Sequence, residues 1–484
     1  MLFCHNYGHP CSKIRSGGSR KESKSMIQDT IAAISTALGE GGIAVIRVSG
    51  PAAVESVSNI LKSRTPLADA PTHTVTYGHI AAPASGEIIE EVLVTVMKGP
   101  RSFTAEDVVE IGAHGGLVAV RKVLELVLEQ PGVRVAEPGE FTKRAFLNGR
   151  IDLAQAEAVI DLIRSKSDRS YSVALKQAEG TLSRKIKALR HTLIELLAHI
   201  EVNIDYPEHD VTEMTSSYIK DSCGSAMEEI RRLLKTAAEG KILREGITTA
   251  IVGRPNVGKS SLLNALVQES KAIVTDIPGT TRDVIEEYIT LSGIPLRLLD
   301  TAGIRETTDV VERIGVERSR SAAADADLLL LVLNHNEALH EDERELLAKL
   351  TGRQVVVIVN KSDLPAQLKL DEVSAALPES RIVMMSVLQE EGLEALEEAI
   401  RELFFEGQLE SADLTYVSNV RHISLLNKAS QALSEAVAAT EDGIPIDMVQ
   451  LDVRSAWELL GEIIGDTAGE SLIDQIFSQF CLGK

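Results

Sequence analysis

The sequence predicts a multidomain chain of α/β plus all-α class, in which one α/β segment opens the chain and a second interrupts a helical bundle. Three observations lead there. Short β-like runs (Ile43–Val48, Val92–Met97, Val108–Ile111) alternate with helical periodicity such as Leu117–Leu128, up to about Lys143. Leu182, Ile186, Leu189, Leu193, Leu196 and Ile200 then recur at four-three-four-three-four spacing, the apolar stripe of a bundle helix. Strand-like and helix-like runs return between about Arg244 and Gly407, and helices resume from Val420. Insertion into a helical domain is the simplest account, because chain ends that lie close together tolerate it.

The expected organisation runs in order. Residues 1–25 are rich in Ser, Gly, Lys and Arg with little apolar periodicity, and Met26 follows them, so they read as a disordered extension or an over-long gene start. Cys4, His5, His9 and Cys11 fall in that stretch at a spacing that fits no standard zinc knuckle. The opening α/β domain spans 26–143, the first helical part 144–243, the inserted α/β domain 244–407 and the second helical part 408–484. His114, set among Gly112, Gly115 and Gly116, reads as a loop histidine with a local hydrogen bond.

Composition bounds the class. With 44 % apolar and 25 % charged residues over 484 positions, the chain suits several soluble globular domains. No run reaches the apolar length of a membrane span, and no hydrophobic signal segment opens the chain. Four scattered cysteines (Cys4, Cys11, Cys223, Cys481) argue against a disulfide framework and for a reducing, cytoplasmic setting. A net charge of −21 opposes unguided binding to nucleic acid, so any RNA contact needs a local basic patch or a second protein. Beyond Thr415 the acids outnumber the bases and the glycine-x-x-glycine clamp of a KH domain is missing, the reverse of an RNA-binding module.

Four stretches inside the inserted segment carry the chemistry. Gly253-Arg254-Pro255-Asn256-Val257-Gly258-Lys259-Ser260 has the phosphate-loop pattern, preceded by the apolar run Ile247–Val252 and followed by helix-like Ser261–Leu266. Backbone N–H groups of such a loop and the positive end of its helix hold phosphate oxygens. Lys259 reaches the outer phosphates and the Ser260 hydroxyl ligates Mg²⁺. Gly279-Thr280-Thr281 offers a second Mg²⁺ hydroxyl, Thr281, from a loop that also contains Thr275, Asp276, Ile277 and Pro278. In Asp300-Thr301-Ala302-Gly303 the carboxylate holds the metal's water shell, and Gly303 lets its N–H approach the terminal phosphate. Asn360-Lys361-Ser362-Asp363 follows the buried-strand pattern Val355–Val359, and the Asp363 carboxylate accepts two N–H bonds from a guanine edge, which adenine does not supply. Together these predict a Ras-like P-loop GTPase domain whose nucleotide contacts include Val257, Gly258 and Ser261.

One residue departs from the usual plan. Many GTPases place a water-orienting glutamine directly after aspartate-x-x-glycine, and Ile304 stands there instead. Nor does an arginine finger declare itself. Asn256 offers an amide oxygen that a monovalent cation can bind, with carbonyls of the Thr275–Thr280 loop completing the shell; equally, asparagine caps turns locally. Glu312 either positions water or is a solvated charge on a helix.

These motifs, with Gly41–Arg47, Ser102–Glu110, Pro138–Asn148 and the terminal Cys-Leu-Gly-Lys, resemble the MnmE (TrmE) family of tRNA modification GTPases, within the TrmE-Era-EngA-like GTPase superfamily. The resemblance runs from about Asp29 to Lys484. It implies a homodimer with an N-terminal α/β tetrahydrofolate-binding and dimerisation domain, a helical bundle domain and the inserted GTPase domain. It further implies a heterotetramer with the FAD protein MnmG (GidA) that adds a carboxymethylaminomethyl group to carbon 5 of the wobble uridine of certain tRNAs. Arg47, Glu110, Arg150 and Lys484 would hold 5-formyltetrahydrofolate or a related one-carbon tetrahydrofolate, where some relatives carry lysine in place of Arg150. Asn256, Thr275, Ile277 and Thr280 would bind K⁺, Ser260 and Thr281 Mg²⁺, and Glu312 would be the catalytic, water-orienting residue. Leu482 replaces the isoleucine more usual in the tail, and Ser386-Val387-Leu388 departs from the serine-alanine-lysine of the base-contacting loop. The competing class is a GTP-dependent assembly or signalling switch without modification chemistry.

Overall fold

A computed structural model describes residues 29–205, 212–269, 287–299, 325–405 and 416–484. They divide into two units, one running to Phe141 together with Leu482–Lys484, the other Thr142–Cys481.

The first unit is built on β1 (Thr30–Ile34), β2 (Ala44–Ser49), β3 (Leu61–Ser63), β4 (Thr74–Ala81), β5 (Ile88–Met97), β6 (Val108–Ala113) and β7 (Val133–Val135), with helices α1 (Ala53–Ile60) and α2 (Leu117–Leu128). The sheet order is β3-β4-β5-β6-β2-β1-β7, antiparallel except where β1 meets β7. Alternation decides which face is covered: Val92, Val94 and Val96 of β5 are buried, while Leu93 between them is 52 % exposed. The covered face packs Val57 and Ile60 of α1 and Val120, Val123 and Val127 of α2 against Ile46, Val48 and Ile111. The expected helix over Leu117–Leu128 is present with those limits, whereas β1, β4 and β7 went unanticipated.

The second unit begins with the helices α3 (Glu140–Leu147, from its third residue), α4 (Leu153–Arg164), α5 (Asp168–Ala178), α6 (Thr181–Asp205), α7 (Thr212–Lys235) and α8 (Ala237–Glu245). Asp152 caps α4 by accepting from the Gln155 amide while Gln155 returns to the Asp152 N–H, which satisfies two otherwise orphaned donors. Then follow β8 (Ile247–Val252), α9 (Lys259–Glu269), β9 (Glu287–Leu291), β10 (Ile294–Leu298), β11 (Leu328–Asn334), α10 (Glu341–Lys349), β12 (Val355–Asn360), α11 (Leu370–Ala376), β13 (Arg381–Met384) and α12 (Leu393–Phe404). The chain closes with α13 (Val420–Glu441), α14 (Ile446–Ile464) and α15 (Glu470–Ser478).

The stripe read from the sequence is the bundle seam. Leu182, Ile186, Leu189, Leu193, Leu196 and Ile200 of α6 are all buried, sharing one core with Ile230 of α7, Leu426 and Leu433 of α13, and Val453 and Leu460 of α14. Helices on either side of the insertion therefore complete one bundle. The inserted sheet has the order β13-β12-β11-β8-β10-β9, parallel except for the β9–β10 hairpin. Every residue of β8, β11 and β12 is buried, which is why β11 and β12 read as apolar runs up to their final asparagines, while β8 buries Thr248 and Thr249 among its apolar residues. Because β8 lies between β11 and β10, the strand order reverses beside its C-terminal end, where open α/β sheets place their ligands.

A buried ion network holds α4 to the start of α13. The Glu157 carboxylate accepts from Asn419 Nδ2 at 2.9 Å, Arg421 Nη2 at 2.7 Å and Arg421 Nε at 3.1 Å, and it meets His422 Nε2 at 2.7 Å. Burial alone would raise its pKa, but the opposing pull of His422 and Arg421 brings it down to about 2. Arg421 also donates to the Glu462 and Ile463 carbonyls at the end of α14, so one guanidinium joins three helices.

Candidate functional site

The phosphate loop connects β8 to α9 and its backbone explains its residues. Gly253 (φ 149°) and Gly258 (φ 100°) adopt conformations that favour glycine. A Cβ on Gly258 would stand 2.2 Å from Asn360 Nδ2, and one on Gly253 2.5 Å from the Val332 carbonyl oxygen. Asn256 is left-handed at φ 64°, a conformation that asparagine tolerates better than most residues. The turn reading of Asn256 thus has a backbone basis, and its exposed side chain keeps its amide oxygen accessible.

Lys259 opens α9 and turns its Nζ back into the loop, donating to the Gly253 carbonyl at 2.9 Å and the Arg254 carbonyl at 2.7 Å. Burial lowers its pKa from the ordinary lysine value. The ammonium is therefore held at the mouth of a loop whose N–H groups face a phosphate position. Ser260 follows in the first turn of α9, with Ser261 beside it.

The segment expected to read the base is fastened to this loop. Asn360 ends β12 and is buried; its Nδ2 donates to the Val257 carbonyl at 2.9 Å, and its Oδ1 accepts from the N–H groups of Lys361 at 2.8 Å and Val387 at 3.2 Å. Lys361 Nζ donates to the Asn256 carbonyl at 3.2 Å. The Ser386 hydroxyl, fully buried, donates to Asp363 Oδ1 at 2.7 Å and fixes the carboxylate. The segment therefore keeps a positioning part here through Ser386, which matches the common serine-alanine-lysine pattern, and through the N–H of Val387, which does not, while Leu388 is 89 % exposed. Side-chain identity alone hid the contribution of Val387, which is made by its backbone.

Thr275, Asp276, Ile277, Pro278, Gly279, Thr280, Thr281, Asp300, Thr301, Ala302, Gly303 and Glu312 lie outside the described residues. Of the proposed metal ligands, only Asn256 and Ser260 are described. Their hard oxygen donors are of the type that K⁺ and Mg²⁺ take.

A second cluster lies in the first unit. Arg47 on β2 and Glu110 on β6 are direct cross-strand partners, and Arg47 donates from Nε to Glu110 Oε1 at 2.9 Å, with Nη2 at 2.8 Å from the same oxygen. The guanidinium carbon is 5.8 Å from the Phe103 ring centroid and 5.6 Å from that of Phe141. Its Nη1 reaches the Gly483 carbonyl at 3.5 Å. Gly483 has φ 85°, and a Cβ there would stand 2.2 Å from the Ile34 carbonyl oxygen, so the tail passes this strand only as glycine. Lys484, half-buried, ends the same unit, whereas Arg150 belongs to the other. A half-buried carboxylate and guanidinium beside aromatic faces suit a pterin. Phe103 and Phe141 were not singled out as site residues, although both lie in the quoted family stretches.

His114 meets Glu90 through Nδ1, the local contact expected of a loop histidine, and that bond raises its pKa. Cys223 is buried, its thiol pushed up to about 12 by burial, and Cys481 is exposed. No described helix is long and apolar enough to cross a membrane.

Family comparison covers nearly the whole described chain. The model of the "GTP-binding protein TrmE N-terminus" matches residues 30–150, and that of the "MnmE helical domain" matches residues 153–481. A relative from Geobacillus thermodenitrificans described as tRNA modification GTPase MnmE is 61 % identical over 459 residues, covering 94 % of this chain and 99 % of that one. Another of the same description, from Bacillus cereus, is 60 % identical over 457 residues with the same coverage. With identity of that order along both units, the chain belongs to the MnmE (TrmE) family of tRNA modification GTPases.

Proposed function

We propose that the chain is a K⁺-dependent GTP hydrolase that acts with the FAD protein MnmG to add a carboxymethylaminomethyl group to carbon 5 of the wobble uridine of certain tRNAs. The observation that carries the reading is the braced pair of loops at the end of β8 and β12. There a half-buried Lys259 serves the phosphates, and Asp363, held by Ser386, serves guanine. Mg²⁺ would be held by Ser260 and Thr281, and K⁺ by Asn256, Thr275, Ile277 and Thr280. Bound there, K⁺ would offset the negative charge that grows between the outer phosphates, the task an arginine finger performs elsewhere. Within the chain, Lys259 orients the outer phosphates, Asp363 selects the base and Glu312 aligns the water.

Arg47, Glu110, Arg150 and Lys484 would hold the one-carbon tetrahydrofolate. The ion pair and aromatic faces of the first unit support the assignment, and the fastened tail supports a part for Lys484. A homodimer, assembled with MnmG into a heterotetramer in the cytoplasm, completes the reading. It is supported by an outward apolar stripe on which Val75, Tyr77 and Leu93 are each more than half exposed, with Tyr77 and Leu93 cross-strand partners.

Nucleoside mass spectrometry of tRNA from a deletion strain tests the modification step: loss of the wobble group is expected, and an unaltered wobble uridine would favour the assembly or signalling switch. Replacing Na⁺ by K⁺ should raise GTP turnover strongly, and Asn256→Ala should lose that response while still binding nucleotide. Equal rates in both salts, or an unchanged response in the variant, would remove the cation assignment.

A further inference from the structure

A cavity of about 580 Å³ opens where β8 and β11 begin, at the opposite end of the inserted sheet from the phosphate loop. Its wall is cationic: Arg164 at the end of α4, Lys166 just after it, Lys241 and Arg244 on α8, and Arg297 on β10. Two carboxylates line it as well, Glu245 and Asp327. Asp327 accepts from the Thr248 N–H at 3.1 Å, Glu245 stands 3.9 Å from Lys241, and Arg244 is paired with Asp161 at 2.9 Å. Its lining carries more cations than carboxylates in a chain whose overall charge is −21. Such a local reversal is what a polyanion needs before it can approach an otherwise repelling surface.

An aromatic face completes the cavity. Tyr288 is the cross-strand partner of Arg297, and the Lys166 ammonium lies 5.3 Å from its ring centroid. Cations that track a backbone, next to a ring on which a base can stack, form the combination by which proteins hold single-stranded nucleic acid. The cavity is also larger than one phosphate requires. We propose that it holds phosphates of an RNA strand, with Tyr288 as the platform for one base. The proposal rests on the modification reading, because that reading makes tRNA the RNA at hand.

The test is equilibrium binding of an unmodified tRNA transcript to the full-length chain over a series of KCl concentrations. Lys166→Gln combined with Lys241→Gln should flatten the plot of log affinity against log salt by about 1–2, the loss of one or two phosphate contacts. Lys166→Arg with Lys241→Arg should keep the wild-type slope. Tyr288→Leu should weaken binding about tenfold at every salt concentration with the slope retained, as loss of one stacked base predicts. GTP turnover without RNA should be unchanged in the lysine variants, which reports an intact fold. Equal slopes for the glutamine variant and the wild type, or no measurable binding by the wild type, would overturn the assignment. That failure is separable from failure of the modification reading: a deletion strain that lacks the wobble group, together with equal slopes, leaves the modification standing and removes the cavity from it.

Discussion

The phosphate loop and the Arg47 cluster reach the same end, a fixed cation beside a ligand position, by opposite routes. Lys259 is bonded to carbonyls five and six residues before it, so one short run of sequence contains the lysine and its holder. Arg47 is held by Glu110, 63 residues on, and by Gly483, 436 residues on. The first site has its lysine held within the motif itself, with Asn360 bracing the loop from outside. The second depends on strand register and on the arrival of the chain's last residues, and it fails if either is lost.

That contrast can be broken most sharply at the lysine. Lys259→Ala should lower GTP turnover on the order of 10²–10³-fold while leaving the proposed folate binding of the first unit untouched, because one charged donor at the reacting group is worth that much. Parallel turnover and folate-binding assays check it; a loss of both would show that the sites are not independent.

The helical scaffold should respond to acid instead. Glu157, lowered to about 2, contributes stability that is complete above the ordinary glutamate range and lost as pH falls from about 4.5 toward 2. The full loss amounts to about 3 kcal/mol. Denaturant unfolding at a series of acid pH values should show the decline in the wild type and a much flatter profile in Glu157→Gln. Equal profiles would deny the network its part in joining α4, α13 and α14.

Smaller effects sharpen the comparison from the other side. Gly483→Ala drives a Cβ to 2.2 Å from the Ile34 carbonyl oxygen, so the tail must shift, in addition to a positive-φ strain of about 1–2 kcal/mol. Affinity at the proposed folate site should fall by at least roughly tenfold with GTP turnover unchanged, whereas a fall in turnover alone would place the tail elsewhere. Ser386→Ala removes the hydroxyl that orients Asp363 and should weaken GTP binding by about 1 kcal/mol, reducing the preference for GTP over ITP. An unchanged preference would mean that the carboxylate finds its direction without Ser386.

What could be read from the residues follows the same division. β8 was anticipated with its full limits, and β12 within a residue, because strands buried on both faces of a parallel sheet read as short runs of apolar and β-branched residues. The stripe from Leu182 to Ile200 needed only helical periodicity. By contrast, β1 and β4 in the first unit mix apolar residues with small and polar ones, and β1 takes one of its two partners, β7, from far along the chain. No spacing rule connects Arg47 to Gly483 or Glu157 to His422; these were beyond a reading that lacked three-dimensional contact. The part played by Ser386 and Val387 was hidden for another reason, since a backbone N–H leaves no mark in side-chain identity.

The Asn360 side chain has a consequence beyond geometry. Its amide touches the phosphate loop at Val257 and the base segment at Lys361 and Val387, all from one buried group. On the proposed reading of the site, base and triphosphate are thereby recognised as a single object. A ligand that presents either half alone leaves the shared clasp only partly engaged, so fragments of the nucleotide should bind with less than their proportionate share of its affinity. Cellular pyrophosphate would then make a poor competitor despite carrying the charge that the loop was built to meet.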